Sequence, residues 1–253
     1  MFDLFKSRWC HGYQAIKDVK AAKINSQFRG YPLLDSQKIT DEEMDECFKE
    51  CPTGALKFNP LRIDMGRCIF CADCVRICKS GAIKFSNFHK TASTSRSALL
   101  VDESLTSENY EKQAIAVRRE IKRMFGKSLK LRSVCAGGCN ACEMELNAST
   151  NVNFDIGRFG IDIVASPRHA DGIIITGPIT KNMAKALEET FQATPDPKIV
   201  ILAGSCAISG GVFEKSKELD RSFLEKYSVD LYIPGCPIHP LTIVNGILKF
   251  LGR

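Results

Sequence analysis

Two short segments of this chain carry the same pattern of residues. Residues 47–58 read CFKECPTGALKF, and residues 74–85 read CVRICKSGAIKF. Both fit the pattern Cys-x-x-x-Cys-x-x-Gly-Ala-(Leu/Ile)-Lys-Phe. Repeated cysteines at this spacing are typical of domains that hold iron–sulfur clusters on thiolates. The repeat therefore predicts a protein that transfers electrons.

The second copy of the repeat has a complete set of cysteines. The pattern C-x-x-C-x-x-C-x-x-x-C is formed by Cys68, Cys71, Cys74 and Cys78. In a two-cluster ferredoxin, the first three such cysteines bind one cluster and the fourth reaches the other cluster. The missing fourth ligand is then Cys51, which precedes a proline in the first copy. The sequence predicts a 4Fe–4S cluster held by Cys51, Cys68, Cys71 and Cys74.

The first copy lacks two of these cysteines. Asp41 and Met44 stand where the complete copy has its first two cysteines. A thioether is a poor substitute for a thiolate on iron, and five of the six residues from 41 to 46 are acidic, which disfavours an anionic cluster. We expect no cluster there, and expect Cys47 and Cys78 to be neighbouring spare thiols, either reduced or disulfide-linked. The alternative is an additional cluster that uses an aspartate and one recruited ligand.

Composition limits the class of protein. With 253 residues, of which 44% are hydrophobic, the chain can form one large domain or two modest ones. Most of its twelve cysteines have ligand-type spacings, and its start lacks the apolar core of a secretory signal peptide. We therefore expect a reducing cytoplasmic location. No apolar window could span a membrane, and a net charge of +6 does not by itself indicate nucleic-acid binding.

The chain is predicted to divide into two domains. Residues 1–105 contain a basic lead-in, the cysteine repeat and a polar linker at 89–97. Residues 106–253 begin with a segment at 108–126 whose apolar residues have roughly helical spacing. We predict a connector helix there that ends at Gly126.

Short apolar runs alternate with helical stretches from residue 129 onward. We predict strands at GIDIVAS, GIIITG, KIVILAG and VDLYIPG, and helices at 180–192 and 214–226 between them. This alternation predicts the α/β class, with a flavodoxin-like open parallel sheet after an α+β bacterial-ferredoxin-like domain. Ligands of such sheets bind beyond the carboxyl ends of the strands.

Four more cysteines lie where that rule places functional residues. One pair lies in GGCNACE, and the other two directly follow the strands IVILA and DLYIP. Small residues beside each cysteine let the backbone approach a bulky cluster and point amide N–H groups at its sulfurs. We predict a second 4Fe–4S cluster held by Cys139, Cys142, Cys206 and Cys236.

Two other interpretations of these four cysteines are weaker. Four-cysteine zinc sites usually combine two compact C-x-x-C pairs, and this half of the chain has one. Buried free cysteines would not all follow strands within glycine-rich turns.

Three charged residues near the predicted second site each have two interpretations. Glu143 lies on a proton path at a subunit interface or is an ordinary surface or salt-bridged residue. Arg168 and His169 follow a predicted strand and are expected to point at the cluster, where an arginine raises the reduction potential. The alternative is an ion pair between Arg168 and Asp171.

The motifs of the second half resemble a known family. It is similar to the small electron-transferring subunit of energy-converting, formate-hydrogenlyase-type nickel–iron hydrogenases. The matching stretches are GGCNACEMEL, RFGIDIVASPRHAD, GIIITGPIT, PDPKIVILAGSCAISGGVF and DLYIPGCPIHP. The complex I 20 kDa subunit is related, but its first motif has two adjacent cysteines. Residues 1–88, with FRGYP and CIFCADCVRIC, resemble the separate ferredoxin subunit of formate hydrogenlyase.

The resemblance implies an electron-transfer subunit of a multisubunit nickel–iron hydrogenase. The second cluster would be the one nearest to a nickel–iron centre in a separate large subunit, so no catalytic residue is expected in this chain. Further electron-transfer and membrane subunits are the other implied partners, and they would attach the chain to the cytoplasmic face of the inner membrane.

Other functions are weighed against this one. The first is an equivalent relay for a complex I-related or nickel-free partner. The second is a non-redox scaffold that keeps unused cluster loops. An independent soluble enzyme is disfavoured, because the sequence has no nucleotide-binding fingerprint, catalytic triad or suitably spaced carboxylate pair.

Overall fold

The computed structural model describes residues 2–253, so that Met1 of the predicted first domain lies outside it. The strands are β1 Pro32–Leu34, β2 Leu56–Lys57, β3 Arg62–Asp64, β4 Ile83–Phe85, β5 Leu100–Asp102, β6 Leu129–Cys135, β7 Ile161–Ile163, β8 Gly172–Thr176, β9 Ile199–Ala203 and β10 Leu231–Ile233. The helices are α1 Phe2–His11, α2 Asp41–Glu50, α3 Asp73–Ile77, α4 Ser107–Gln113, α5 Arg119–Phe125, α6 Ala141–Ala148, α7 Lys181–Ala193, α8 Ser205–Ser209, α9 Phe223–Lys226 and α10 Pro240–Phe250.

The second half of the chain forms a five-stranded sheet in the order β10-β9-β8-β6-β7, and every neighbouring pair is parallel. This is the flavodoxin-like order, in which the second strand of the chain lies outside the first. Strands β8 and β9 are buried along their whole length, as expected for continuous apolar runs at the centre of a parallel sheet. The predicted fold class is confirmed, although the interior strand β6 was not predicted.

The cysteine repeat forms a smaller antiparallel unit. Strand β1 pairs with β4, and β2, β3 and β5 form a second small sheet. Each copy of the repeat supplies a helix followed by a short strand, α2 with β2 and α3 with β4, and the two helices contact each other. The sequence repeat is therefore a structural repeat.

The two units share one apolar core. Tyr31, Leu56 and Ile63 of the first unit belong to the same buried cluster as Ile175 and Leu202 of the large sheet. Helix α10 belongs to a second buried cluster and is apolar on nearly all sides, so that it is almost entirely buried.

The prediction of one continuous connector helix at 108–126 is wrong, because the segment forms two helices. Helices α4 and α5 are separated by a break from Ala114 to Arg118. The Ala114 carbonyl accepts hydrogen bonds from the Thr94 amide at 3.0 Å and the Ser93 hydroxyl at 2.8 Å. The loop before β5 therefore forms hydrogen bonds with the Ala114 carbonyl, which in a continuous helix would accept a hydrogen bond from the helix itself.

The predicted helix at 214–226 is also wrong, because only the single turn α9 is helical. The Lys181 amide donates to the Glu218 carbonyl at 2.9 Å, and the Asp220 amide donates to the Ile179 carbonyl at 3.0 Å. Segment 216–220 is held against the start of α7 instead. The helix predicted at 180–192 is confirmed as α7.

None of the helices in the described part of the chain is long and apolar enough to span a bilayer.

Candidate iron–sulfur centres

The four cysteines of the predicted first site line one cavity. It is bounded by Cys51, Cys68, Cys71 and Cys74, with Leu56, Ile63 and Phe85 among its apolar walls. Cys51 follows α2, Cys68 follows β3, and Cys74 lies in α3. Phe70 and Ala72, between these ligands, have positive φ angles of 54° and 66°, which let the chain turn tightly around the cavity.

Backbone amides in this cavity point at sulfur. The Ala55 amide lies 3.3 Å from Cys51 Sγ, and the Phe70 amide lies 3.3 Å from Cys68 Sγ. Such N–H···S contacts stabilise the negative charge of thiolate ligands. Burial raises the pKa of the Cys74 thiol to about 12, and neighbouring thiols add to the shift. Iron therefore has to displace protons from neutral thiols when it binds here.

The cysteines of the incomplete site are buried and free. Cys47 Sγ lies 3.6 Å from the Cys74 carbonyl oxygen, and Cys78 Sγ lies 3.2 Å from Ser80 Oγ. Burial raises the pKa of Cys47 to about 11, with further contributions from Cys78 and Glu43.

A carboxylate that the sequence pattern did not single out closes this incomplete site. Glu43 accepts a hydrogen bond from the Ser80 amide at 2.9 Å, and its other oxygen lies 3.9 Å from Cys78 Sγ. It also completes a capping box with Thr40 at the start of α2. Asp41 is exposed at the first position of α2. The only available signal for Glu43 was the Thr-x-x-Glu spacing.

The four cysteines of the predicted second site converge at the carboxyl ends of β6, β9 and β10. Cys139 and Cys142 lie around the start of α6, Cys206 lies in α8 directly after β9, and Cys236 follows β10. Burial raises the pKa of Cys142 to about 12 and that of Cys206 to about 11, and in both cases charges on other cysteines of the set add to the shift. The thiols are therefore close to one another.

Two glycines allow the chain to approach these sulfurs. A Cβ built on Gly204 would lie 2.6 Å from Cys142 Sγ, and one on Gly211 would lie 2.9 Å from Cys206 Sγ. Both glycines also have positive φ angles, 95° and 55°. The backbone here is shaped around thiols, as a bulky cluster requires.

Within residues 2–253, no group of three or more His, Cys, Asp or Glu side chains is spaced to hold a single metal ion. The ligands of a 4Fe–4S cluster bind different irons and therefore stand further apart than the ligands of one ion.

Arg221 is a cation beside the second site, and sequence patterns did not indicate it. Its guanidinium donates to the carbonyls of Pro178, Cys206, Ala207 and Ile208 at distances from 2.8 to 3.2 Å. Burial lowers the pKa of Arg221, while Glu214 and Cys206 oppose that shift. No sequence signal identified it, because it lies in the segment predicted as a helix.

The predicted position of Arg168 and His169 is wrong. Both are exposed and immediately precede β8, where the Asp171 amide donates to the Lys130 carbonyl at 2.7 Å. They therefore lie at the amino end of the parallel sheet, opposite the cysteines. The Asp171 carboxylate accepts from the Lys130 amide at 2.7 Å. Glu143 accepts a hydrogen bond from the buried Thr176 hydroxyl beside the second site.

The two four-cysteine sites lie near each other, because Arg29 contacts the backbone of the first site and lines the same cleft as Cys236 of the second. The charge of Cys71 contributes to the raised pKa of Cys236, after burial and Cys139. Arg29, Phe70, Cys236 and His239 line one open cleft of about 290 Å³. Arg29 also contacts the Cys71 carbonyl at 3.5 Å.

Comparison with known proteins identifies the family. The family described as NADH ubiquinone oxidoreductase, 20 kDa subunit, matches residues 139–250. A relative named probable membrane-bound hydrogenase subunit mbhJ, from Pyrococcus furiosus, is 35% identical over 148 residues, which are 58% of this chain and 89% of that protein. This chain belongs to the 20 kDa subunit family. The 4Fe–4S binding domain family matches residues 61–84, so this member also carries a 4Fe–4S domain.

Two further relatives of this 20 kDa-family chain have related names. Formate hydrogenlyase subunit 7 of Escherichia coli is 39% identical over 154 residues, covering 61% of this chain and 57% of that protein. An NADH-quinone oxidoreductase subunit of Citrifermentans bemidjiense is 42% identical over 112 residues, covering 44% of this chain and 65% of that protein. The predicted resemblance is confirmed. The chain is an iron–sulfur electron-transfer subunit of the hydrogenase and complex I-related group of oxidoreductases.

Proposed function

We propose that this chain relays electrons through two 4Fe–4S clusters, one in each of the domains 1–105 and 106–253. The first is held by Cys51, Cys68, Cys71 and Cys74, and the second by Cys139, Cys142, Cys206 and Cys236. The relay connects a nickel–iron centre in a separate large subunit with another redox partner. Such a cluster, when bound, accepts and donates single electrons.

The juxtaposition of the two sites is the observation that carries this proposal. The four thiols of the first site line one cavity, and Arg29, which contacts the Cys71 carbonyl at 3.5 Å, lines the same cleft as Cys236 of the second site. A scaffold without redox function would not need to bring two complete thiol sets together. The buried surroundings of Cys68 and Cys142 also keep water from the sulfurs, which favours cluster stability.

The contacts at the incomplete site favour a total of two clusters in the chain rather than three. Glu43 already bonds the Ser80 amide beside Cys78, and Cys47 is oriented toward the Cys74 carbonyl. A carboxylate at that position repels an anionic cluster. Its hydrogen bond to the Ser80 amide also closes the site in the absence of a cluster. Cys47 and Cys78 then remain spare thiols.

The large subunit is the partner that the relatives suggest. Relatives named as subunits of a membrane-bound hydrogenase and of formate hydrogenlyase align with this chain over more than half its length. We propose that the exposed end of the second site, where Cys139 and Cys236 are accessible, meets the large subunit. Other partner subunits would attach the complex to a membrane surface.

The cluster count tests the proposal. Iron and acid-labile sulfide are measured per chain on anaerobically purified protein, together with EPR spectra of the reduced sample. About eight irons and two interacting S = 1/2 centres are expected. About twelve irons would mean that the incomplete site binds a cluster, and folded protein that takes up no iron would leave only the scaffold function.

A complex I-related or nickel-free partner is the second candidate. It is favoured by the similarity to a relative named as an NADH-quinone oxidoreductase subunit. Nickel analysis of the complex purified with this chain separates the two. One nickel per complex with hydrogen evolution supports the hydrogenase, and a nickel-free complex that is active with another acceptor supports the alternative.

A further inference from the structure

The hydroxyl of Ser205 joins the two cysteine sites. It donates a hydrogen bond to the carbonyl oxygen of Cys68 at 2.6 Å and lies 3.1 Å from the carbonyl oxygen of Gly235. Cys68 belongs to the first site. Gly235 directly precedes Cys236 of the second site, and Ser205 itself directly precedes Cys206. One side chain therefore contacts the backbone of both sites.

Ser205 is held rigidly in this position. Its side chain is buried, with 1% of its surface exposed, and its amide donates to the Gly235 carbonyl at 2.9 Å. It is also the first residue of α8, which follows the buried strand β9. A buried hydrogen bond between two rigid segments fixes their separation, and its loss leaves a carbonyl without its partner.

Other contacts at the same interface are weaker constraints. Arg67 forms an ion pair with Glu214, but their side chains are 25% and 39% exposed, so that solvent screens the pair. Gly66 packs against Ile208, where an added Cβ would lie 2.8 Å from the Ile208 side chain. The close approach at Gly66 brings the two units together but does not fix their relative position. A directed hydrogen bond does fix it.

We propose that Ser205 is a positioning residue that sets the separation of the two clusters and links their ligands by a hydrogen bond. This inference rests on the proposed function. When the clusters exchange one electron, one is oxidised by one unit and the other reduced by one unit, with no bond or proton changed. The Ser205 contact then keeps the distance for that exchange constant.

The test uses the full-length chain with both clusters, reduced anaerobically with dithionite. The variant is Ser205→Ala, and the measurement is the magnetic splitting between the two reduced clusters in EPR, which depends on their separation. We expect the splitting to be lost or reduced in S205A while the iron content stays at the wild-type level. Splitting equal to wild type in S205A with both clusters present would overturn the proposal.

Two variants serve as matched controls. Ser209→Ala removes a hydroxyl from the same helix, where it donates to the Ser205 carbonyl at 3.0 Å. Glu214→Gln removes the exposed ion pair of the same interface. Both are expected to keep the wild-type splitting. If either reduces it as much as S205A does, the effect belongs to the interface in general and the assignment to Ser205 is wrong.

Two other outcomes are loss of the clusters in S205A and a wild-type chain without two interacting centres. If S205A loses its clusters, Ser205→Thr, which keeps the hydroxyl, is measured. Wild-type iron content and splitting in S205T support the role of the hydroxyl, and loss of clusters in S205T as well contradicts it. A wild-type chain with fewer than two interacting centres would instead refute the proposed function, before any variant is compared.

Discussion

The guanidinium of Arg221 lies 3.2 Å from the carbonyl oxygen of Cys206 and also binds the carbonyls of the two following residues. A permanent positive charge thus stands at the end of the short helix α8 that presents one thiol of the second site. Arginine stays protonated in proteins even where burial lowers its pKa. Its charge therefore acts on the second site at every accessible pH.

Replacing this charge is expected to lower the reduction potential of the second cluster. Arg221→Met removes a cation that favours the more negative, reduced state. The expected shift is roughly 50–100 mV, the effect of a unit charge about 10 Å away at an effective dielectric constant of about 20. EPR-monitored redox titration measures it. Arg168→Met, which removes an exposed arginine at the opposite end of the sheet, should shift the potential much less, and equal shifts would contradict the assigned role.

The cysteine assignments predict an unequal effect of two similar substitutions. Cys68→Ser should reduce the iron content from about eight to about four per chain, because it removes a ligand of the first cluster. Cys78→Ser should leave the iron content unchanged, because Cys78 contacts Ser80 and Glu43 instead. Iron and sulfide analysis decides, and loss of iron from C78S would mean that Cys78 is a ligand.

Gly204 should be essential for the second cluster. In Gly204→Ala the added Cβ would lie 2.6 Å from Cys142 Sγ, at a φ angle of 95°. We expect about four irons to be lost and the signal of the first cluster to remain. Gly12→Ala, at a φ angle of 62° with nothing within 4 Å of the new Cβ, controls for backbone strain alone. An unchanged second cluster in G204A would contradict the close approach.

Buried His89 should make the protein less stable in acid. Burial lowers its pKa from 6.5 to about 4, with smaller contributions from His239 and Lys90 that also lower it and one from Glu111 that raises it. Between pH 6.5 and 4 the unfolded chain binds a proton that the folded chain excludes, so the free energy of unfolding falls as pH falls. The fall attributable to His89 is about 2–3 kcal/mol.

Denaturant unfolding of wild type and His89→Gln at several pH values from 7 to 4 checks this prediction. The variant cannot bind that proton, so its stability should fall less steeply through the window. Acid damage to the clusters affects both proteins and cancels in the comparison. Parallel curves would show that His89 does not titrate as its burial indicates.

Regular spacing made much of the protein predictable. The paired Cys-x-x-x-Cys segments became the structural repeat α2–β2 and α3–β4, and the apolar runs became strands β7 to β10. The cysteines after β9 and β10 meet at one end of the sheet because parallel strands place their carboxyl ends together. Local pattern and sheet geometry are sufficient for such residues.

Predictions failed where distant backbone competes for hydrogen bonds. The loop at Ser93 and Thr94 interrupts the helix predicted at 108–126, and the start of α7 holds the segment predicted as a helix at 214–226. Helical periodicity describes which residues face a core, but it carries no information about such partners.

The sequence by itself determined the fold class and predicted the two sets of four cysteines, because periodicity, strand ends and ligand spacing are local properties of the chain. Only the tertiary structure decided that Arg221 lies at the second site and Arg168 does not, that Glu43 closes the incomplete site, and that Ser205 meets Cys68. These contacts join residues far apart in the chain, and their geometry depends on how the two units pack together.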